Sequence, residues 1–220
     1  LTVRIGAIFS LGRIAYDSPE DAQSIFQVLS SYVRGEFSVA PTNISESISV
    51  SASKATLKDN SRRPRSDLEA IATIYRSVLR KPKWTDTDFS GSNLDGIFLR
   101  DAGLTQANLN NTSIREAELD GAGLSHAYLR KSDLRGSTFY CADLSNARLH
   151  QADLRSSILI SANLEDAELT EANLAGANLA DANLKGADLA GAQGWGSVAG
   201  KDNIRNLDKA KNIPIDDDAK

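Results

Sequence analysis

The segment Glu171-Ala172-Asn173-Leu174-Ala175-Gly176-Ala177-Asn178-Leu179-Ala180 contains two copies of a five-residue unit, which continues on both sides of it. Every fifth residue from Phe89 to Leu189 is Leu, Ile or Phe, and we call these residues the centres. The residue two places before each centre is Ala, Ser or Thr, except at Ile97. A period of five matches neither an α-helical face nor the alternation of a β-strand, so it indicates an internal structural repeat.

The centres are predicted to form the core of a stacked structure. In an extended segment, a centre and the small residue two places before it point to the same side, while the other three positions are mostly polar. We therefore expect each unit to be a short extended piece followed by a bend. Stacked coils of such units would lie about 4.8 Å apart. The 21 centres are Phe89, Leu94, Leu99, Leu104, Leu109, Ile114, Leu119, Leu124, Leu129, Leu134, Phe139, Leu144, Leu149, Leu154, Leu159, Leu164, Leu169, Leu174, Leu179, Leu184 and Leu189.

These units resemble the A(D/N)LxG repeats of the pentapeptide-repeat family, over about half of the chain. The resemblance implies a mainly β fold, a right-handed quadrilateral β-helix in which four units close one coil of twenty residues. The stretch from Val3 to Pro19 resembles a helical segment that precedes the repeats in many bacterial members, and Asp67–Ile71 resembles its partner. We expect these helices to form an N-terminal capping region that covers the open edge of the first coil, because an uncovered edge favours association.

The predicted organisation has five parts. They are a helical pair at 1–37, a flexible linker at 38–65, a capping helix at 66–82, the β-helix at 83–193, and a C-terminal cap and tail at 194–220. In the last part, Gly194-Trp195-Gly196 ends the five-residue period, and Trp195 is expected to cover the last coil.

Charge is distributed unevenly along the 220 residues, whose net charge is −4. Residues 1–82 carry 11 basic and 8 acidic residues, whereas residues 84–193 carry 8 basic and 16 acidic residues, a net charge of −8. The single cysteine, Cys141, excludes an internal disulfide and favours a reducing, cytoplasmic location. The sequence contains no stretch of 18 apolar residues, so it predicts no membrane span. Because the chain begins at Leu1 and lacks Met, we expect a fragment or a trimmed product with any anchor upstream.

No catalytic, cofactor or metal site is expected, because a solid shaft filled with Leu offers no cleft in which reactive groups converge. His126 and His150 fall on different sides of the coil, without a third ligand, and Cys141 has no neighbouring His. The only basic cluster, Lys58 to Arg65, is short and lacks aromatic residues, so direct nucleic-acid binding is not expected.

One side of the predicted coil stacks three arginines, Arg115, Arg135 and Arg155, with Asp133 and Asp153 on the same side. Like charges about 5 Å apart repel each other and need compensation. Two interpretations follow: a self-compensated charged wall, or a stripe that binds an anion or an acidic partner.

The next side carries outward apolar residues, Phe98, Tyr140, Ile158 and Ile160. An exposed apolar patch often marks an interface. The alternative is that the linker at 38–65 covers this wall.

The leading functional prediction is a non-enzymatic scaffold or protein–protein interaction module built on a rigid acidic β-helix. The partner is another protein, and a homodimer is compatible with the exposed wall. The alternative is a DNA-mimicking binder of a type II topoisomerase (gyrase), as in some members of the family. The arginine stack, the helical front segment and the lack of an apolar dimerisation helix after Trp195 count against it. An enzymatic activity would have to lie in sequence upstream.

Overall fold

The computed structural model describes four parts of the chain, which are residues 2–36, 69–71, 73 and 87–214. Residues 69–71 and 73 are helical and fall within the predicted capping helix. The rest of that helix and the predicted linker lie outside the described residues.

Two helices precede the repeats. Helix α1 spans Thr2–Asp17 and helix α2 spans Pro19–Glu36, and the two pack against each other. Pro19 suits the first position of a helix because its missing N–H would have no intrahelical partner. In α2, Ile25, Leu29 and Val33 are buried at four-residue spacing, so one face of the helix joins the hydrophobic core.

The repeat region forms stacked coils that are joined by isolated parallel bridges. Each bridging residue from Asp88 to Asp188 directly precedes a centre, and the partner lies twenty residues further along in the bridges from Asp88–Asn108 to Asn173–Gln193. Each coil contributes four bridging residues and therefore has four faces. The ladders thus run along the stack, with one residue per coil in each ladder rather than long strands.

We number the faces in chain order. Their centres are as follows: face 1, Phe89, Leu109, Leu129, Leu149, Leu169 and Leu189; face 2, Leu94, Ile114, Leu134, Leu154 and Leu174; face 3, Leu99, Leu119, Phe139, Leu159 and Leu179; face 4, Leu104, Leu124, Leu144, Leu164 and Leu184. Coils 1 to 5 are residues 87–106, 107–126, 127–146, 147–166 and 167–186.

The interior of the stack is filled by the centres and by the small residues two places before them. All 21 centres are buried, with no more than 3% of any of them exposed. Several hydroxyl groups at the small position bond to the main chain: Ser132 Oγ donates to Leu129 O, and Ser157 Oγ donates to Leu154 O, both at 2.7 Å. The polar atoms of these serines therefore enter the core with a partner.

The bends all use the left-handed backbone region. The residue two places after every centre has a φ between 53° and 70°. Gly fills seven of these positions, and other residues such as Glu116 and Cys141 fill the other fourteen. Because left-handed backbone costs a non-Gly residue about 1–2 kcal/mol, the fold maintains this corner geometry against a local penalty at most of its bends.

The solenoid extends beyond residue 193, where the predicted β-helix ends. The bridges Asn178–Ala199, Asn183–Arg205 and Asp188–Lys211 have offsets of 21, 22 and 23 residues. Three sides of six residues therefore follow the last five-residue unit and build one further partial coil.

A six-residue period is visible in this last coil. Gly194, Gly200 and Asn206 each have left-handed backbone and each precede a short 3₁₀ helix, at Trp195–Ser197, Lys201–Asn203 and Leu207–Lys209. Trp195 and Val198 are buried in the same hydrophobic cluster as the centres, and Ile204 and Leu207 pack against that cluster. The larger side chains of this coil therefore lie over the carboxyl end of the shaft.

Helix α2 contacts the opposite end of the stack. In coil 2, Asn108 directs its N–H and its carbonyl toward coil 1, bonding Thr87 O and Phe89 N. By the same pattern, the main chain of Asp88 faces the amino-terminal edge. There Arg34 Nη1 donates to Asp88 O at 2.8 Å and lies 2.5 Å from Asp88 Oδ2.

Candidate interaction surfaces

Face 2 holds the three predicted arginines. The first of them along the chain, Arg115, pairs with Asp95, which the sequence interpretation did not include. Arg115 Nη2 lies 2.5 Å from Asp95 Oδ2, and the main-chain N–H of Arg115 donates to Asp95 Oδ1 at 2.9 Å. Asp95 also accepts a hydrogen bond from Ser113 Oγ at 2.6 Å. Asp95 lies twenty residues before Arg115, so the coil length alone places these two residues next to each other.

The other two arginines pair with the carboxylate on their own coil. Arg135 contacts Asp133 at 2.7 and 2.6 Å, and Arg155 contacts Asp153 at 2.8 and 2.6 Å. Longer contacts join the coils, at 3.8 Å from Arg115 Nε to Asp133 Oδ2 and at 3.6 Å from Arg135 Nε to Asp153 Oδ2. These six residues of face 2 therefore form an alternating network of three arginines and three aspartates, and the network carries no net charge.

The pKa values on face 2 reflect this pairing. Partial burial raises the pKa of Asp95 and of Asp153, but hydrogen bonds with Arg115 and Arg155 outweigh it, so both carboxyl pKa values lie below their ordinary range. Hydrogen bonds to Asp133 raise the pKa of Arg135. Of the two interpretations of the arginine stack, this geometry favours the self-compensated wall.

Face 3 carries apolar side chains on coils 3 and 4. Tyr140 is 42% exposed, and Ile158 and Ile160 are half-buried. Tyr140 and Ile160 occupy the same outward position on successive coils, and Ile158 bridges to Thr138. We call Tyr140, Ile158 and Ile160 the face 3 apolar patch.

Phe98 lies apart from this patch, although it is 45% exposed on the same face. Coil 2 intervenes with Glu118 and Asp120, which Arg100 contacts at 2.6 and 3.3 Å. The structure therefore brings together three of the four predicted apolar residues, and a charged cluster separates the fourth.

Face 1 carries a cationic cluster that the sequence interpretation missed. Arg130, Lys131 and Arg148 are exposed on coils 3 and 4, and His150 lies above Arg130. The guanidinium carbon of Arg148 lies 4.9 Å from the centroid of the Tyr128 ring. The signal was available, because these residues fall on one side when positions are counted modulo twenty. We call these five residues the face 1 basic patch.

Face 4 joins successive coils through a row of polar side chains. Asn163 Nδ2 donates to Asp143 Oδ1 at 3.0 Å, and Asn183 Nδ2 donates to Asn163 Oδ1 at 3.0 Å. Asn206 Nδ2 then donates to Asn183 Oδ1 at 2.8 Å and extends the row to the six-residue coil. These side chains are occupied with one another, so face 4 offers a stabilising ladder rather than free polar groups.

Side chains that could hold a metal ion do not converge in the described part of the chain. Within residues 2–36, 69–71, 73 and 87–214, three His, Cys, Asp or Glu side chains nowhere form a cluster able to hold a metal ion. His150 Nδ1 lies 2.7 Å from Thr170 Oγ1, and Cys141 is an exposed free thiol. Neither described helix has the length and apolar character that a membrane crossing requires.

Stacked coils built from one short unit define this chain as a solenoid repeat protein. The family model described as pentapeptide repeats (8 copies) matches this chain over residues 85–121, 117–155 and 157–193. The repeat region of this chain therefore belongs to the pentapeptide-repeat family, and the resemblance seen in the sequence is confirmed.

Solved structures of other pentapeptide-repeat proteins are similar to this chain. The protein alr5209 from Nostoc PCC 7120 is 43% identical over 39% of this chain and 69% of that chain, with a TM-score of 0.37. HetL from Nostoc sp. strain PCC 7120, involved in heterocyst differentiation regulation, is 26% identical over 56% of this chain and 59% of that chain, with a TM-score of 0.29.

QnrB1, a plasmid-mediated fluoroquinolone resistance protein, is 21% identical over 53% of this chain and 66% of that chain, with a TM-score of 0.29. The matches to HetL and QnrB1 thus span less than two thirds of those chains. A search of proteins with curated functions gave no match.

Proposed function

We propose that this chain is a non-enzymatic scaffold that binds another protein through the outer walls of its solenoid. The observation that carries the proposal is the face 3 apolar patch. Tyr140 is 42% exposed there, whereas the three arginines of neighbouring face 2 pair with aspartates. Aromatic and aliphatic residues exposed on a wall whose main chain is bridged are typical of a binding surface.

The rigidity of the wall supports this function. Coil-to-coil bridges hold the main chain on both sides of Tyr140 and Ile160, and their centres Phe139 and Leu159 are buried. A partner therefore meets side chains that are already in position, which reduces the conformational entropy lost on binding.

The finer features of the fold belong to the same proposal. We propose a right-handed coil, as the family resemblance implies, and a role for α1 and α2 as the cap of the first coil. The contact of Arg34 with Asp88 supports the cap. A cytoplasmic location remains a prediction from the cysteine usage.

The test compares two aspartate substitutions at equivalent outward positions. Ile160→Asp places a charge in the face 3 apolar patch, whereas Ser145→Asp places the same charge on face 4. We expect a partner captured from the native host by the intact chain to be lost with Ile160→Asp and retained with Ser145→Asp, by quantitative mass spectrometry. Sedimentation velocity of the same proteins shows whether that partner is a second copy.

Circular dichroism of both variants should show an unchanged fold. Equal retention of the partner by the two variants would contradict a role for face 3. Equal loss with both variants would point to a general electrostatic effect instead.

A gyrase-binding DNA mimic is the second candidate. The net charge of −8 over residues 84–193 favours it. The neutral network on face 2 and the basic patch on face 1 oppose it, because both interrupt the negative field that a DNA mimic needs. A supercoiling assay with purified gyrase separates the two functions: the scaffold proposal expects neither inhibition nor protection at micromolar concentrations of this chain.

A further inference from the structure

The face 1 basic patch stands out because two of its cations lack a carboxylate partner. Of the eight Lys and Arg residues in coils 1 to 5, six lie within 4.0 Å of an Asp or Glu oxygen. In the described part of the chain, Arg130 and Lys131 have no such neighbour, and both side chains are exposed. Their charge is therefore available to a ligand.

Arg148 adds a third cation in a constrained position. Its guanidinium lies over the Tyr128 ring, and its only described carboxylate contact, to Glu168, is long at 3.9 Å. Stacking on an aromatic ring restricts the arginine side chain. Less side-chain entropy is then lost when the guanidinium binds a carboxylate, in the paired geometry that arginine favours.

The length of the patch along the stack restricts what it binds. On the amino-terminal side, Asp88 is occupied by Arg34; on the carboxyl side, Glu168 and Glu171 follow. Coils about 4.8 Å apart give the cationic stretch a length on the order of 10 Å. A nucleic acid or an anionic membrane would extend past it and meet the negative charge of the remaining repeats. A short anionic segment would not.

We propose that the face 1 basic patch binds a short acidic segment of a protein, with two or three carboxylates aligned along the solenoid axis. This inference rests on the proposed scaffold function and names the chemistry of one partner. Faces 1 and 3 lie on opposite sides of the four-sided coil, so they point away from each other. Because both patches lie on coils 3 and 4, an acidic segment on face 1 leaves the face 3 apolar patch free for a second partner.

The experiment titrates the full chain, labelled with ¹⁵N, with an acetylated hexapeptide of alternating Asp and Gly, followed by NMR. We expect amide shifts on face 1 and an affinity at least about tenfold weaker in Arg130→Ser and in Arg148→Ser, from the loss of charge-assisted hydrogen bonds. Arg155→Ser is the matched control, because Asp153 already pairs with that arginine. Its affinity should equal that of the unmodified chain.

Two further ligands test the chemistry. The Asn–Gly counterpart of the peptide should not bind, and a single-stranded oligothymidine should bind more weakly than the acidic peptide. Absence of peptide binding, an equal loss in Arg155→Ser, equal binding of the Asn peptide or tighter binding of the oligonucleotide would each overturn the inference.

The Ile160→Asp variant keeps this result separate from the scaffold proposal. It should bind the acidic peptide as the unmodified chain does, while it loses the face 3 partner. Failure of peptide binding with an intact face 3 interaction removes the basic patch alone. Failure at face 3 with peptide binding retained removes the apolar interface alone.

Discussion

Arg34 on helix α2 donates a hydrogen bond to the main-chain carbonyl oxygen of Asp88, and the same guanidinium lies beside the Asp88 carboxylate. In every later coil, the corresponding carbonyl accepts from the coil before it, as Asn108 O does from Phe89 N at 2.8 Å. The arginine thus supplies, at the edge of the stack, a donor of the kind that a preceding coil supplies elsewhere.

Replacing Arg34 with Ala should weaken the amino-terminal edge. We expect the free energy of unfolding to fall by about 1–2 kcal/mol, since the bond is charge-assisted but both side chains are partly exposed. Urea unfolding followed by circular dichroism measures the loss. Hydrogen exchange should show the greatest loss of amide protection in coil 1.

Arg13→Ala is the control for Arg34→Ala. The Arg13–Asp17 pair lies within α1 and is mostly exposed, so its removal should change stability little. Equal effects of the two substitutions would mean that the contact with Asp88 does not hold α2 against the solenoid.

Gly194 in the six-residue coil and Gly176 in the five-residue repeats differ in how strictly their positions require glycine. A Cβ at Gly194 would lie 2.5 Å from the Cα of Ala175, whereas a Cβ at Gly176 would have Ser156 Oγ as its nearest neighbour at 3.7 Å. Both glycines have left-handed backbone, with φ of 70° and 68°. Gly176→Ala should cost about 1–2 kcal/mol from backbone strain alone. Gly194→Ala should cost clearly more, because main chain must also move.

Thermal unfolding of these two variants measures the difference. Hydrogen exchange should place the extra loss in Gly194→Ala within the six-residue coil. Similar losses of stability in the two variants would show that the six-residue coil accommodates a Cβ at Gly194 without a further loss of stability.

Buried hydroxyl groups predict opposite effects of two serine substitutions. Ser137 Oγ donates to Ile114 O and accepts from Ala117 N, at 3.1 Å for the latter bond. Ser92 Oγ is buried and, within the described residues, has no hydrogen-bond partner. Ser137→Ala should destabilise by about 1–3 kcal/mol, whereas Ser92→Ala should be neutral or slightly stabilising.

Urea unfolding of Ser92→Ala and Ser137→Ala, under identical conditions, checks the order of the two effects. A larger loss in Ser92→Ala would mean that its hydroxyl has a bonding partner after all, and would contradict the prediction.

The face 2 network predicts that the stability of the protein falls at acidic pH. The folded pKa of Asp153 lies below its unfolded value of about 3.9, so its contribution is fully present above that value. The contribution is lost as the pH falls through the folded pKa. Arg155→Gln should therefore raise the pKa of the Asp153 carboxyl and reduce the stability that this group contributes near neutral pH.

Carbon-detected NMR titration of the Asp153 carboxyl measures this shift. Arg148→Gln, on face 1, serves as the control and should leave the pKa of Asp153 unchanged. An unmoved pKa in Arg155→Gln would show that Arg155 does not pair with Asp153 in solution.

The repeated unit was sufficient to predict the residues in the core and the family, and the family resemblance supplied the four-sided coil of twenty residues. Burial of a large side chain at every fifth position imposes one geometry on every unit, so a local pattern carries the global fold. Positions counted modulo twenty also brought Arg115, Arg135 and Arg155 onto one face, as the bridges place them. The six-residue spacing of Gly194, Gly200 and Asn206 was visible too, but three units are a weak signal beside 21.

Pairing between side chains required the folded coordinates. Residue spacing does not show which carboxylate an arginine pairs with. Asp133 lies 2.6 Å from Arg135 but 3.8 Å from Arg115, and only the coordinates distinguish these two contacts. The neutral network on face 2, the unpaired cations of face 1 and the bond from Arg34 to Asp88 all depend on such choices. Burial of the apolar centres is additive and local to each unit, whereas the contacts of Arg115 with Asp95 and of Arg34 with Asp88 join residues 20 and 54 positions apart and depend on the stacking of whole coils and helices.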